Sequence, residues 1–174
     1  MSNPLKPRPA VERMAPYSPP TGGRAGKLRL DFNENTVGCS PRVIECLKQS
    51  LTADALTVYP EYLDAMRELA AFFAVAPGEL LLSNGTDEAI QVLVNTYIDD
   101  GDEVLLLRPS YAMYRFYSEV ARAAIREIDY PLPNLAFPPD ELLGPLAPQP
   151  KATLVPTPTH PPATRPPPRH YPRL

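Results

Sequence analysis

Residues 82–89, LSNGTDEA, and residues 104–114, VLLLRPSYAMY, decide the fold of this chain. In the first stretch, Gly85 and Thr86 stand between a short apolar run and an amphipathic one, which predicts a junction between a strand and a helix. In the second, an apolar strand ends at Pro109, and Tyr111 follows on the next turn. Two such junctions in succession are typical of an α/β fold.

The neighbouring sequence continues this alternation. We predict strands over residues 80–82, 104–107 and 124–128, separated by helices over 86–97 and 110–120. Strands that alternate with helices in this way form a sheet with parallel members.

Further elements are predicted on both sides of this region. The Ser40 hydroxyl is expected to cap a helix that has Pro41 in its first turn, and a second helix follows Tyr59-Pro60. One more short helix over 138–147 and one more strand over 152–155 are predicted downstream. In the helix over 86–97, four side chains are expected to face inward: Ile90, Leu93, Val94 and Tyr97.

Proline sets the domain boundaries. Of the 25 prolines, six lie in residues 1–20 and fifteen from Pro131 onward. Because proline fixes φ and removes a backbone donor, the two ends are expected to be extended or irregular. We therefore predict a flexible Pro/Gly/Arg-rich lead over 1–26, a partial domain over 27–155 and a disordered Pro/Arg-rich tail over 156–174.

Composition excludes several classes of function. The net charge is −3, and every acidic residue lies at or before Glu141, but the cations of the remaining segment are too sparse to indicate nucleic-acid binding. Cys39 and Cys46 lack zinc spacing and are expected to be reduced thiols, with no metal site. There is no apolar run of membrane-spanning length and no secretory signal, so a cytoplasmic protein is expected.

Residues 85–88 have the chemistry of an anion cradle. The backbone N–H groups of a first helical turn point outward, the helix dipole favours negative charge there, and Gly85 lets a phosphate approach closely. The Asp87 and Glu88 side chains would repel a dianion unless turned away. Ordinary helix capping explains the same pattern. Likewise Tyr111 is suited to stack on a flat ligand, or else is a core tyrosine.

Two more segments, upstream of residues 82–89, belong to the same ordered series of motifs. Residues 28–35 read LRLDFNEN and residues 58–61 read VYPE. Together with 82–89 and 107–114 they resemble fold-type I aminotransferases, most closely the histidinol-phosphate aminotransferases, over about residues 28–155. The resemblance implies an incomplete N-terminal part of the family's large domain, a three-layer α/β/α fold with a mostly parallel sheet. It also implies pyridoxal 5'-phosphate as cofactor and a homodimer.

The resemblance implies roles for individual residues. Thr86 and Asp87 match the positions whose backbone amides hold the cofactor phosphate, and Tyr111 matches the aromatic residue that stacks on the pyridine ring. Gly85, which lets the backbone approach the phosphate, is assigned to the same cofactor site. Tyr59 matches a tyrosine that reaches the phosphate site of the neighbouring subunit, with helix-entry packing as the alternative. Asn33 and Glu34 match a segment near the substrate, and Asn33 is alternatively a turn former.

The resemblance breaks near residue 158. The family continues with PNNPTG, whereas residues 158–163 read PTHPPA. Our hypothesis is a reading-frame slip near Thr159, which resequencing of the coding DNA tests; a natural proline-rich tail is the rival explanation. The resemblance places the Schiff-base lysine beyond Leu174, so no catalytic residue is assigned and no transamination is expected from this polypeptide.

Three functions remain open at this point. The first is transamination of L-histidinol phosphate with 2-oxoglutarate in histidine biosynthesis, by descent. The second is another fold-type I activity, either an aromatic aminotransferase or a threonine-phosphate decarboxylase. The third is a non-catalytic fragment or a module that binds a partner.

Overall fold

The computed structural model describes residues 5–19, 22–30, 32–143 and 148–157. Its elements are, in chain order, α1 (Pro9–Glu12), α2 (Pro41–Ser50), α3 (Ala53–Thr57), α4 (Leu63–Phe73), a 3-10 turn (Pro77–Glu79), α5 (Gly85–Tyr97), β1 (Glu103–Arg108), α6 (Ala112–Val120), β2 (Ala124–Asp129), α7 (Pro139–Leu143) and β3 (Ala152–Leu154). The proposed frame slip near Thr159 and most of the predicted tail lie outside the described residues.

The chain divides into two compact units. One contains Met1–Ala15 and Ser83–Leu174 and is called the sheet unit; the other, Pro16–Leu82, is called the helical unit.

The sheet unit is built on three parallel strands in the order β2-β1-β3. β1 is central because its middle residues, Val104 to Leu107, are apolar without interruption and can be buried on both faces. All four are at most 3% exposed. In register, Arg108 at the end of β1 stands beside Asp129 at the end of β2. The predicted parallel α/β alternation is confirmed for these strands.

Side chains alternate along β1 and fill two cores. Val104 and Leu106 pack in one cluster with α5 and α6, which contribute Ile90, Val94 and Met113. Residues on the opposite face pack in a second cluster, listed by its buried members: Leu105, Leu107, Tyr130 and Leu142. The sheet is therefore covered on both faces, as parallel sheets require.

Helix α5 begins at Gly85 and corrects one detail of the prediction. Ile90 and Val94 are buried, with Ile98 just past the helix end. Leu93 and Tyr97, also expected to face inward, are 48% and 64% exposed. The buried stripe thus follows a spacing of four residues, and Leu93 and Tyr97 fall on its flank.

The lead contains one short helix that the sequence does not predict. Pro9 begins the one-turn helix α1, where its missing N–H costs no helical hydrogen bond. Ala10 is 5% exposed, and α1 contacts α6 within the sheet unit. Burial of this small apolar residue gives the turn a contact with the sheet unit, and the flexible lead over 1–26 stays a prediction.

The helical unit contains α2, α3, α4 and the 3-10 turn. α2 begins as predicted at Pro41, but the Ser40 side chain makes no capping hydrogen bond, so proline alone marks this start. In α3 the Thr52 hydroxyl does cap, accepting from the Ala55 N–H at 3.1 Å. α4 ends at Phe73, and the next residue, Ala74, has a left-handed backbone.

The strand predicted over 80–82 is wrong. These residues follow the 3-10 turn as extended chain and pair with no strand among the described residues. Leu81 and Leu82 are 59% and 41% exposed. Their apolar run indicates burial but supplies no hydrogen-bond partner, and a strand exists only where a neighbour completes its ladder. Over the described residues, no helix is long and apolar enough to cross a membrane.

Candidate cofactor site

The first turn of α5 contains Gly85, Thr86, Asp87 and Glu88, the residues over which the sequence predicts an anion cradle. Gly85 opens the helix with φ of +82°, a left-handed conformation that favours glycine. A Cβ placed on Gly85 would meet no atom within 4 Å outside its chain neighbours and its own helix backbone, so no other part of the described chain crowds this position. The first N–H groups of any helix lack intrahelical acceptors, which leaves the amides of Gly85, Thr86 and Asp87 available to an anion.

Both acidic side chains of the first turn have hydrogen-bond partners in the protein. A carboxylate oxygen of Glu88 accepts from the backbone N–H of Asn84, the residue before the helix. Oδ1 of Asp87 accepts from the hydroxyl of Tyr111 at 2.7 Å. Each carboxylate is therefore held by a specific donor, which reduces the repulsion that unpaired first-turn acids would exert on a phosphate.

Tyr111 stands at the end of the three-residue connection between β1 and α6. It is the residue immediately before α6 and is partly buried. Its ring meets the ring of Tyr114 edge to face, with centroids 6.0 Å apart and an interplanar angle of 90°. Burial raises the pKa of the Tyr114 hydroxyl, which keeps that residue neutral. The Tyr111 ring is thus in contact with Tyr114 on one side, and its hydroxyl is hydrogen-bonded to Asp87.

A cavity of about 220 Å³ opens beside this connection. Its wall includes the β1–α6 connection, the start of α6 and Glu127 of β2. The Ser110 Oγ on this wall is buried and has no hydrogen-bond partner among the described residues. A buried hydroxyl without a protein partner is suited to form a hydrogen bond with a water or a ligand atom. Sequence reasoning missed Ser110, although its place between Pro109 and Tyr111 was a usable signal.

The other predicted site residues belong to the helical unit. Asn33 has a left-handed backbone with φ of +53°, which fits its alternative as a turn former. Glu34 is paired with Arg24 at 2.8 Å and with Arg29 at 3.2 Å. Tyr59 is 95% exposed, so packing at the helix entry does not explain it. The structure therefore brings Asp87 and Tyr111 together, and keeps Asn33 beside Glu34 in a separate unit.

Sequence comparison decides the family. A model of the family described as aminotransferase class I and II matches residues 25–174. The chain belongs to this family. The match runs into the proline-rich end, so those residues are not shown to lie outside the family's pattern. The frame slip stays a prediction.

Among individual relatives, histidinol-phosphate aminotransferase from Halalkalibacterium halodurans is 29% identical over 134 residues. The alignment covers 71% of this chain and 36% of that relative. The chain therefore spans about a third of the length of the curated relative that it matches.

Two solved structures share the fold. The crystal structure of histidinol-phosphate aminotransferase from Sinorhizobium meliloti in complex with pyridoxal-5'-phosphate gives a TM-score of 0.53 at 18% identity, covering 58% of this chain and 28% of that one. The crystal structure of an aminotransferase from Mycobacterium tuberculosis gives 0.63 at 20% identity, covering 76% and 37%. They confirm the predicted α/β class and a partial fold-type I aminotransferase fold.

Proposed function

We propose that the sheet unit carries the half of a pyridoxal 5'-phosphate site that holds the phosphate and one face of the ring. One observation carries the proposal: the Tyr111 hydroxyl reaches Asp87 at 2.7 Å, which brings an aromatic ring to the tip of α5. The anion cradle and the aromatic stacking surface are thus joined by a single side-chain hydrogen bond. This arrangement fits a ligand that is both phosphorylated and aromatic.

The residues present fit this cofactor. No side chain crowds the Cβ position of Gly85, and the backbone N–H groups of Gly85, Thr86 and Asp87 are suited to donate to the oxygens of a phosphate. Tyr111 is suited to cover one face of the ring, and its bond to Asp87 fixes the tilt of that face. When bound, the cofactor withdraws electrons from the bonds at the substrate's α-carbon.

For the whole protein we propose transamination between L-histidinol phosphate and 2-oxoglutarate. The names of the relatives support this choice over other fold-type I activities. Under this proposal Asn33 and Glu34 lie near the substrate, and Tyr59 extends to the phosphate site of a second subunit in a homodimer. The exposure of Tyr59, 95% in the chain alone, supports a role toward a partner. A cytoplasmic location is part of the same proposal.

The 174 residues by themselves are proposed to bind cofactor without turning over substrate. Their lysines are Lys6, Lys27, Lys48 and Lys151. None stands at a position that matches the family's Schiff-base lysine, and transamination needs such an amine. Incubation with pyridoxal 5'-phosphate and borohydride should leave no lysine labelled stoichiometrically. Specific labelling of one lysine would contradict this proposal.

Cofactor binding is tested by titrating pyridoxal 5'-phosphate into the chain and following its visible absorbance. Tyr111→Ala should weaken binding by about tenfold, the worth of a good aromatic contact. Tyr97→Ala is the matched control, since Tyr97 is exposed at the opposite end of α5. Equal affinities for the parent chain and both variants would refute the proposed site.

A further inference from the structure

Four charged side chains form a connected cluster at the carboxyl ends of β1 and β2. Arg108 grips Asp129 with two parallel hydrogen bonds, from Nε at 2.6 Å and from Nη2 at 2.7 Å. Glu127 joins this pair to α6, because its Oε2 lies 3.2 Å from Nη1 of Arg108 and 2.8 Å from Nη2 of Arg115. Glu127 is thus the carboxylate that both arginines share.

The cluster's position on β2 follows from strand geometry. Glu127 and Asp129 are two residues apart, so their side chains leave the same face of the sheet. Glu127 is the more enclosed of the two, at 18% exposed against 63% for Asp129. Hydrogen bonds to carboxylates raise the pKa of both arginines, chiefly from Asp129 for Arg108 and from Glu127 for Arg115. Both guanidinium groups are therefore charged over the whole physiological range.

An anion-binding role does not fit this cluster, although two arginines line the neighbouring cavity. Arg115 also pairs with Glu119 at 2.9 Å. Three carboxylates then face two guanidinium groups, which leaves a net negative charge that repels a further anion. Both guanidinium groups already donate to carboxylates of the protein, so the cluster stabilises local structure instead of binding a ligand.

The two arginines bracket the connection that carries Tyr111. Arg108 is the last residue of β1, and its backbone oxygen accepts from the Tyr130 N–H at 2.9 Å. Arg115 lies in the first turn of α6, four residues after Tyr111. Both ends of the connection are consequently tied to β2 through one carboxylate. Bidentate and charge-assisted hydrogen bonds have the directionality to hold a short segment in one arrangement.

We propose that Glu127 is a positioning residue that sets the Tyr111 ring against the tip of α5 by clamping Arg108 and Arg115 to β2. The inference rests on the proposed cofactor site, since it assigns Glu127 a positioning role within that site. It predicts a selective effect: moving Tyr111 weakens a ligand that has a ring more than it weakens phosphate alone, because phosphate is affected only through the loss of the Asp87 hydrogen bond.

The test compares two probes, pyridoxal 5'-phosphate and inorganic phosphate, by equilibrium titration of the full chain. Glu127→Gln keeps the size of the side chain and removes its charge. It should raise the Kd for pyridoxal 5'-phosphate by about threefold to tenfold, the range for one lost hydrogen bond, with a smaller rise in the Kd for phosphate. Glu119→Gln is the matched control, because Glu119 pairs with the same Arg115 but lies on α6 itself.

A second variant guards against misfolding of the first. Arg108→Lys keeps the charge but cannot form the two parallel bonds to Asp129, and it should show the same selective loss. Equal weakening of both probes by Glu127→Gln and Arg108→Lys would overturn the proposal, because it indicates general destabilisation. An equal effect of Glu119→Gln would also overturn it.

Hydrogen exchange separates this inference from the proposed function. If the parent chain binds both probes equally, the cofactor site itself is refuted. Amide exchange over residues 110–115 then decides the clamp: faster exchange in Glu127→Gln than in Glu119→Gln supports it. Indistinguishable exchange in the two variants would overturn it.

Discussion

The hydroxyl of Tyr111 donates a hydrogen bond to Oδ1 of Asp87 at 2.7 Å, across 24 residues of sequence. This bond joins the connection after β1 to the first turn of α5, the two places where the sequence predicts cofactor contacts. It also holds an acidic side chain that would otherwise be an unpaired charge beside a phosphate. One hydrogen bond therefore serves both the ring and the phosphate side of the proposed site.

Tyr111→Phe separates the ring from its hydroxyl. The variant keeps the stacking surface and loses the bond to Asp87, so affinity for pyridoxal 5'-phosphate should fall by about twofold to tenfold, less than in Tyr111→Ala. Fluorescence titration measures both. Binding by Tyr111→Phe that is as weak as binding by Tyr111→Ala would show that the hydroxyl, and not the ring, provides the contact.

Gly85→Ala tests the backbone of the cradle. At φ of +82° a Cβ is strained even though no atom lies within 4 Å, so the free energy of unfolding should fall by about 1–2 kcal/mol. Gly78→Ala is the control, because Gly78 also has open space around it but no positive φ. Urea unfolding followed by circular dichroism compares them. Equal midpoints for the two variants would contradict the conformation assigned to Gly85.

The Arg108–Asp129 pair predicts a dependence of stability on pH. Hydrogen bonds from Arg108 lower the pKa of Asp129 below its usual value, so the folded state binds its proton less readily than the unfolded chain. The stabilisation is present above the unfolded pKa of about 3.9 and disappears as pH falls through the lower folded value. Because both side chains are more than half exposed, the effect should be small and weaken in high salt.

Asp129→Asn provides the comparison for that dependence. Urea midpoints of the parent chain and the variant should differ at pH 6, and the difference should shrink as pH falls below the unfolded pKa of about 3.9 and Asp129 takes up its proton. Asp64→Asn is the control, since Asp64 is 91% exposed and pairs within its own helix. A constant difference between parent and Asp129→Asn at all pH values would exclude the ion pair as its cause.

Leu105→Ala tests the core that holds β1 in place. Leu105 is fully buried, and its truncation leaves a cavity between β1 and the segment around Tyr130 and Leu142. The free energy of unfolding should fall by about 2–5 kcal/mol. Leu93→Ala, at a position that is 48% exposed, should cost much less. Similar losses in urea unfolding would show that β1 is not the centre of this core.

The sequence predicts β1, β2, α5 and α6 well because each has a strong local signal. The apolar run at 104–107 and the glycine at 85 need no distant partner to be recognised. Residues 80–82 fail for the opposite reason: three leucines resemble a strand, but a strand needs a neighbour, and periodicity does not supply one. Leu93 and Tyr97 fail because the width of a helix's buried face depends on what packs against it.

The candidate site shows the same division. Gly85, Thr86, Asp87 and Tyr111 come from motifs in the sequence, and the structure adds that Asp87 meets Tyr111. Glu127 was not predicted, because its partners Arg108 and Arg115 lie 19 and 12 residues away in sequence. The signal was available only after β2 had been placed beside β1: Arg108 is then in register with Asp129, and Glu127 is two residues earlier on the same face.

A crystal structure of the chain grown with pyridoxal 5'-phosphate tests the central claim most directly. We predict phosphate oxygens within hydrogen-bond distance of the backbone N–H groups of Thr86 and Asp87, with the ring lying flat against Tyr111. Cofactor density elsewhere, or a phosphate bound away from the tip of α5, would contradict the account.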